Sequence, residues 1–373
     1  MRYFSLIFLF VMMIPTFAED DIWAFQERCV PRASIGSWSY DGTILATGYS
    51  GLHGINADWE TPRVMVRTSR YSNGLLSPNQ RWYAEFQGYV YYAESFNDLH
   101  VIEAITVNST LGDNNVYSIP WENSWLNMWG YREIFWLNDE QILYEYSDDF
   151  VHDLDELRVI NILEGTTAKW DSAIDILDGG SGFQREYVQF PSPDFTQTIN
   201  NSHHPDENRR YWAIYDIDEV KPLAEIETRS EAIFEWLPNS SGFVGEITDA
   251  DENTSLTYFD KNSNKLATIM TLDRDQVRYP RNLRFASNGR YLAIKIWRGN
   301  LLIADIDTHQ VIDTCLSTAD SITWSPDNSQ IAFLEPNSGT QNVYVFDLDS
   351  WSYRAVARHI VQSTWDKIIG WRE

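Results

Sequence analysis

Short runs of alternating apolar and polar residues, separated by polar turns, occupy most of the chain. In the clearest unit, Ile322–Trp324 precedes the turn Ser325-Pro326-Asp327-Asn328, and the apolar run up to Leu334 follows it. β-Branched and aromatic residues favour strands, Pro presets the φ angle of one turn position, and Asp and Asn tolerate turn conformations. Segments 341–350 and 353–357 supply two more strands. The pattern predicts a four-stranded antiparallel sheet.

The same unit recurs along the chain. Each copy is marked by the residue that ends the first strand: Trp38, Leu76, Trp136, Pro191, Trp236, Phe285 and Trp324. Successive marker residues lie 38 to 60 residues apart, and strands ending in Asp-x-Asp, such as those ending at Asp218 and Asp349, keep the register. Repeats of this length are typical of propeller blades, and no long stretch has a helical period. We therefore expect an all-β propeller of about seven four-stranded blades.

The two ends of the repeat array raise the question of closure. Residues 368–371 look like the opening strand of one more blade, and residues 22–34 precede the first marker residue. Because a propeller must hide its strand edges, we expect these two ends to meet and share a blade. The alternative is eight blades, with the last one assembled from both termini.

Three features of the last repeat resemble the WD40-like (PD40-type) repeats of TolB-type propellers. They are the turn at residues 324–327, the strand Ile331–Phe333 and the ending Val343–Asp347. The resemblance extends over roughly residues 35–373 and is strongest in the last two repeats. It implies a propeller fold, which in that family serves periplasmic partner-binding proteins and the propellers that gate prolyl-oligopeptidase-type enzymes. We recognise neither the added N-terminal domain of the former nor the hydrolase domain of the latter, so no partner or substrate carries over.

The first residues have the pattern of an export signal. Arg2 precedes an apolar run from Tyr3 to Ile14, and small residues stand at Thr16 and Ala18 before Glu19. We predict a signal peptide over residues 1–18 and a single propeller domain over residues 19–373, secreted or periplasmic. An uncleaved anchor is the alternative, but the run is shorter than the about 20 residues of a comfortable membrane span. No membrane insertion is expected after cleavage.

Composition narrows the classes of partner. The 373 residues carry a formal net charge of -26, which disfavours nucleic acid and anionic membranes because both require clustered Lys and Arg. Acidity of this kind fits a soluble exported surface, with a basic or cation-rich partner as the alternative. Aromatic residues make up 14% of the chain, which is ample for a buried interior.

The chain has two cysteines, Cys29 and Cys315. In an oxidising compartment they can form a disulfide that closes a very long loop. Two buried free thiols are the alternative. The spacing fits no zinc motif.

Three motifs suggest chemistry, but each has a simpler explanation. Asp249–Asn253 resembles the start of a calcium loop, yet the missing Gly favours an acidic hairpin tip. His203 and His204, near Asp206 and Glu207, point to opposite faces if they lie on a strand, which disfavours a shared metal. Gly179–Gly182 lacks the pattern of a nucleophile elbow and is typical of a flexible insertion. We therefore predict no catalytic residue, cofactor or metal.

An aromatic cluster is the best candidate for partner binding. Trp125, Trp129 and Tyr131 crowd an interval that is longer than the strands require, and they either contact a partner or cap a blade interface. The hypothesis is a monomeric, non-catalytic, exported binding module for a protein, peptide or glycan. The alternative is a propeller enzyme, a polysaccharide lyase or hydrolase, whose active site is assembled in the central funnel from several blades.

Overall fold

The computed structural model of the chain consists of β-strands and their connections. It describes residues 22–33, 39–48, 51–59, 61–67, 74–91, 99–113, 116–120, 125–126, 134–146, 156–170, 190–204, 209–217, 222–226, 228, 232–249, 251, 253–272, 280–296, 299–317, 321–334, 341–361 and 368–373. Within these ranges no helix is long and apolar enough to cross a membrane.

In the described part of the chain, thirty strands form seven sheets. In chain order they are β1 (Ala24–Glu27), β2 (Thr43–Gly48), β3 (Gly51–Asn56), β4 (Arg63–Val66), β5 (Leu75–Leu76), β6 (Trp82–Tyr91), β7 (Leu99–Ser109), β8 (Val116–Pro120), β9 (Trp125–Leu126), β10 (Ile134–Trp136), β11 (Gln141–Tyr146), β12 (Glu156–Asn161), β13 (Thr166–Lys169), β14 (Phe190–Pro191), β15 (Gln197–His204), β16 (Arg209–Asp216), β17 (Pro222–Ile226), β18 (Phe234–Trp236), β19 (Gly242–Thr248), β20 (Thr254–Asp260), β21 (Lys265–Leu272), β22 (Pro280–Phe285), β23 (Tyr291–Ile296), β24 (Asn300–Asp305), β25 (Gln310–Ser317), β26 (Ile322–Trp324), β27 (Gln330–Leu334), β28 (Gln341–Asp347), β29 (Ser352–Val361) and β30 (Ile368–Arg372).

The seven sheets are the blades of a β-propeller, which confirms the predicted fold. Blades 2 to 7 each take four consecutive strands, beginning at β5, β10, β14, β18, β22 and β26. Blade 1 contains β30, β2, β3 and β4, and the short strand β9 adds to β7 of blade 2. In each blade the first strand in this order is the inner one, next to the axis.

The turn between the first two strands of a blade has a repeated hydrogen-bond pattern. In blade 7 the Ser325 hydroxyl donates to the Asp327 carboxylate (2.6 Å) and accepts from the backbone N–H of Gln330 (2.9 Å). Ser77 and Ser192 make the equivalent contacts in blades 2 and 4. The residue four positions after the marker residue is left-handed, with φ from 55° to 79°, at Gly42, Gln80, Phe195, Ser240, Gly289 and Asn328. The repeats therefore share a turn conformation more than a residue type.

Tryptophans at the marker position link neighbouring blades. At three of these positions, all within the described residues, the indole N–H donates to a backbone carbonyl on the inner strand of the preceding blade, so that a part-buried donor and acceptor satisfy each other. The pairs are Trp136 with Leu75 (3.1 Å), Trp236 with Phe190 (2.9 Å) and Trp324 with Arg284 (2.9 Å). This shared function explains why Trp recurs at the end of the first strand.

The ring closes through the C-terminal strand. β30 pairs antiparallel with β2, which places the fully buried Trp371 opposite Ile44. The Trp371 indole donates to the carbonyl of Asp41 (2.7 Å), and a side chain at Gly42 (φ 79°) would collide with the Arg372 carbonyl. Residues 368–371 are therefore an opening strand, as predicted, but they open blade 1. Seven sheets complete the described part of the ring, so the eight-blade alternative is wrong.

Residues 22–33 form an N-terminal strap along the perimeter. Ile22 makes a parallel bridge with Thr268 of blade 5, β1 pairs in parallel with β25 of blade 6, and Arg32 bridges Tyr353 of blade 7. The prediction that this segment shares a blade with the C-terminal strand is therefore wrong. Strand β30 occupies the inner position of blade 1, whereas the strap pairs with the outer strands of blades 5, 6 and 7.

Two side chains and a disulfide anchor the strap. Trp23 is 4% exposed within the apolar cluster between blades 5 and 6, and its ring stacks on His309 with centroids 5.1 Å apart. Val30 is buried in the cluster between blades 6 and 7. A disulfide joins Cys29 to Cys315 of β25, with their Cα atoms 4.8 Å apart. The bond is compatible with an oxidising compartment.

Candidate functional site

A groove opens at the perimeter between blades 4 and 5, with a cavity volume of about 390 Å³. Strand β17 forms one wall, β20 and β21 form the other, and Ile22 of the strap also lines the groove. The volume lies near the lower end of the range for small-ligand pockets, about 300–1,000 Å³. The groove is thus large enough for a side chain or a small ligand.

The floor of the groove is apolar and held by the core. Ile226 and Phe259 are buried in the cluster that joins blades 4 and 5, and Ile247 packs against that cluster. The Phe259 ring stacks on the buried Phe243 with centroids 5.0 Å apart. Because these side chains also fill the blade interface, the floor is preformed.

Hydroxyl groups line the blade 5 wall. Ser255 and Thr257 are hydrogen-bonded through their side-chain oxygens (3.1 Å), as are Thr254 and Thr248 (3.0 Å). Thr268, which is 5% exposed, lies on the adjacent strand. A hydroxyl both donates and accepts, so this wall can satisfy a polar ligand group.

The rim carries the motif that sequence analysis singled out as a calcium candidate. One Asp249 carboxylate oxygen accepts from the backbone N–H of Asn253 (2.8 Å) and the other from its side-chain amide (3.1 Å). These contacts close a hairpin tip, which was the favoured interpretation. Glu225 and Lys265 complete the charged lining, so the described rim has two carboxylates and one ammonium group.

A second polar site lies beside the central axis. Glu235 on β18 and Arg284 on β22 form an ion pair with a 3.7 Å contact, and their side chains are 25% and 54% exposed. The equivalent positions of blades 2 to 4 are apolar: Leu75, Phe135 and Phe190. The inner strands therefore present charged side chains in blades 5 and 6 and apolar side chains in blades 2 to 4. Charged groups near the axis would favour an enzyme, whereas apolar groups there would favour a binding module.

Burial raises the pKa of Glu235, although the Arg284 charge and a hydrogen bond from the Phe285 backbone N–H oppose the shift. A carboxyl with a raised pKa near the axis is a candidate acid. The ion pair also has a structural function, since it connects the inner strands of blades 5 and 6.

Most residues of the predicted aromatic cluster lie outside the described part of the chain. Trp129 and Tyr131 are among these, and only the backbone of Trp125 is described, where β9 pairs with Val101 of β7. Whether this cluster binds a partner stays a prediction. Gly179–Gly182 also lies outside the described residues.

The predicted histidine pair lies on strand β15. His203 pairs with Arg210 and His204 with Arg209 near the end of the hairpin, while Asp206 and Glu207 lie outside the described residues. In the described residues, the one group of acids, histidines and cysteines close enough to share an ion is Glu27 with Cys29 and Cys315. Both sulfurs of that group form the disulfide.

Sequence reasoning missed the groove, the strap and the Glu235–Arg284 pair. The residues involved are separated by several strands or by most of the chain. The residues around each of them have the same pattern as any other strand, so no motif marks them. Only Asp249 gave a local signal, and that signal suggested calcium instead of a groove rim.

Comparisons with known proteins assign no family to this chain. No family model matches the chain, and no curated protein matches it. Similar solved structures include a putative 6-phosphogluconolactonase from Bacteroides uniformis, with 11% identity over 87% of this chain and 98% of that one (TM-score 0.47). Another is TolB from Acinetobacter baumannii, with 10% identity over 88% and 82% (TM-score 0.42). A eukaryotic initiation factor has 12% identity over 87% and 84% (TM-score 0.41).

Proposed function

We propose that this chain is an exported, non-catalytic binding module that holds a protein, peptide or glycan in the groove between blades 4 and 5. The observation that carries the proposal is the groove itself, which combines a preformed apolar floor with hydroxyl and carboxylate walls. Ligand sites commonly have this composition, because apolar area supplies affinity and a few polar groups supply orientation. Export is supported by the signal-like N-terminus and the Cys29–Cys315 disulfide.

The test is a pulldown with residues 19–373, run beside a glycan array. Thr271 lies exposed in the groove on β21, so Thr271→Trp fills the groove without removing a buried side chain. Thr166→Trp, at an exposed position of the outer strand β13, is the matched control. A ligand is expected to bind the wild type and Thr166→Trp equally and Thr271→Trp at least about tenfold more weakly. No ligand, or equal binding by all three proteins, would contradict the proposal.

The competing proposal is a polysaccharide lyase or hydrolase acting in the central channel. The observation in its favour is Glu235, a carboxyl with a raised pKa beside Arg284. Incubation with a panel of acidic and neutral polysaccharides tests it, with Glu235→Gln as the variant. Cleavage products from the wild type that disappear in Glu235→Gln would replace the binding proposal with this one.

A further inference from the structure

We infer that the groove binds an extended peptide that lies along the edge of β17 and inserts one large apolar side chain between blades 4 and 5. This inference rests on the proposed function and names the ligand class of its groove.

The strap supplies two examples of this binding mode within the same molecule. The backbone N–H of Trp23 donates to the Thr268 carbonyl of blade 5 (3.3 Å), and the indole enters the interface with blade 6. The N–H of Val30 donates to the Thr314 carbonyl of blade 6 (3.0 Å), and its side chain enters the interface with blade 7. In both, the outer strand of one blade holds an extended backbone while the interface with the next blade takes a side chain.

The edge of β17 offers the same arrangement one blade earlier. β17 is the outer strand of blade 4, and in the described part of the chain it pairs only with β16. Its last residue, Ile226, belongs to the apolar cluster between blades 4 and 5 and lines the groove. An outer strand edge that lies beside a side-chain pocket is the arrangement used in β-strand addition, where the backbone supplies affinity and the pocket supplies specificity.

The floor favours an aromatic anchor. The side chains of Ile226, Ile247 and Phe259 present an apolar surface, and about 390 Å³ accommodates a large ring. Phe259 is 8% exposed, so it offers little of the flat ring face on which a sugar stacks. This contrast, together with the strand edge, favours a peptide over a glycan.

The charges favour basic residues beside the anchor. Glu225 and Asp249 outnumber Lys265 at the rim, and the chain has a net charge of -26. Long-range attraction therefore accelerates the association of a basic segment.

Panning a random nonapeptide library on the wild-type protein, with counter-selection on Thr271→Trp, tests the inference. We expect enrichment of peptides with one Trp, Phe or Tyr and a Lys or Arg within two positions. Replacing the aromatic residue of a selected peptide by Ala should weaken binding at least about tenfold. Thr166→Trp should bind the selected peptides as the wild type does.

The outcomes separate this inference from the proposed function. A glycan or protein ligand that Thr271→Trp loses, with no enriched peptide, overturns the peptide inference and leaves the groove as the binding site. Enriched peptides without an aromatic residue also overturn the inference. Ligands that bind Thr271→Trp as tightly as they bind the wild type overturn both.

Discussion

The interfaces on the two sides of blade 5 are alike near the axis and differ at the perimeter. Apolar clusters fill both, and in each the inner strands are in polar contact, through the Trp236 indole on one side and the Glu235–Arg284 pair on the other. At the outer end of the interface with blade 6, the strap inserts Trp23. At the outer end of the interface with blade 4, the groove remains.

This difference separates the part of a blade interface that builds the ring from the part that can accept a further segment. The inner part must be packed in every blade, because the ring closes only if each blade contacts both neighbours. The outer part widens with distance from the axis, and between blades 5 and 6 it accepts the Trp23 side chain of the strap.

The largest effect is expected on removing the strap's covalent link. Cys29→Ser combined with Cys315→Ser opens a loop with a sequence separation of 286 residues. Loss of this constraint on the unfolded chain should lower the free energy of unfolding by about 5 kcal/mol. Urea unfolding measures this loss of stability. Faster amide exchange in β25 than in β17 would show that the loss is concentrated where the strap pairs with blade 6. An unchanged midpoint would show that the disulfide does not hold the strap.

Trp23→Ala should convert the filled interface into a second groove. The buried indole leaves a cavity among apolar neighbours, so we expect a loss of about 3 kcal/mol. Phe25→Ala, at a strap position that is 58% exposed, should change stability by less than about 0.5 kcal/mol. Equal losses in urea unfolding would indicate that Trp23 contributes no more than an exposed strap residue.

Near the axis, the interface with the groove and an interface that the strap enters should behave alike. Trp236→Phe lies in the interface between blades 4 and 5, and Trp324→Phe lies in the interface between blades 6 and 7, which Val30 of the strap enters. Each variant removes an indole N–H and leaves a part-buried backbone carbonyl without its donor. Each should cost about 1–2 kcal/mol. A difference of more than about 1 kcal/mol would mean that the strap also affects the inner part of the interface.

The smallest effect concerns the acidic turns. Burial acts to raise the pKa of Asp194 and Asp327, but the hydrogen bonds they accept from nearby Ser, Thr and backbone groups outweigh it and lower the pKa. Stability from such groups is present above their ordinary pKa of 3.8 and is lost as the pH falls through the lower folded value. Thermal unfolding between pH 5 and 2 should therefore show acid destabilisation.

Matched variants test whether these turns contribute equally to stability in blades 4 and 7. Asp194→Asn in blade 4 and Asp327→Asn in blade 7 should each remove a similar part of the acid dependence. A reduction in only one variant would show that the turns are not equivalent.

The sequence predicted what depends on neighbouring residues. The Ser-Pro-Asp turns, the alternation in β26 and β27 and the recurrence of Trp236 and Trp324 are local signals, because hairpin partners lie within one repeat. The blade number followed from counting them. Trp371 also had the correct context of an opening strand, but the sequence did not indicate which blade it opens.

Tertiary structure decided everything that joins distant segments. Closure pairs Ile44 with Trp371, the strap carries Cys29 to Cys315, and the groove combines Ile226 with Thr271 across two blades. The sequence shows no periodic pattern or characteristic spacing for any of these contacts, because each depends on how the ring brings the blades together. The chain's local pattern thus determined the blades, whereas their assembly determined which outer strands the strap contacts and where the groove between blades 4 and 5 lies.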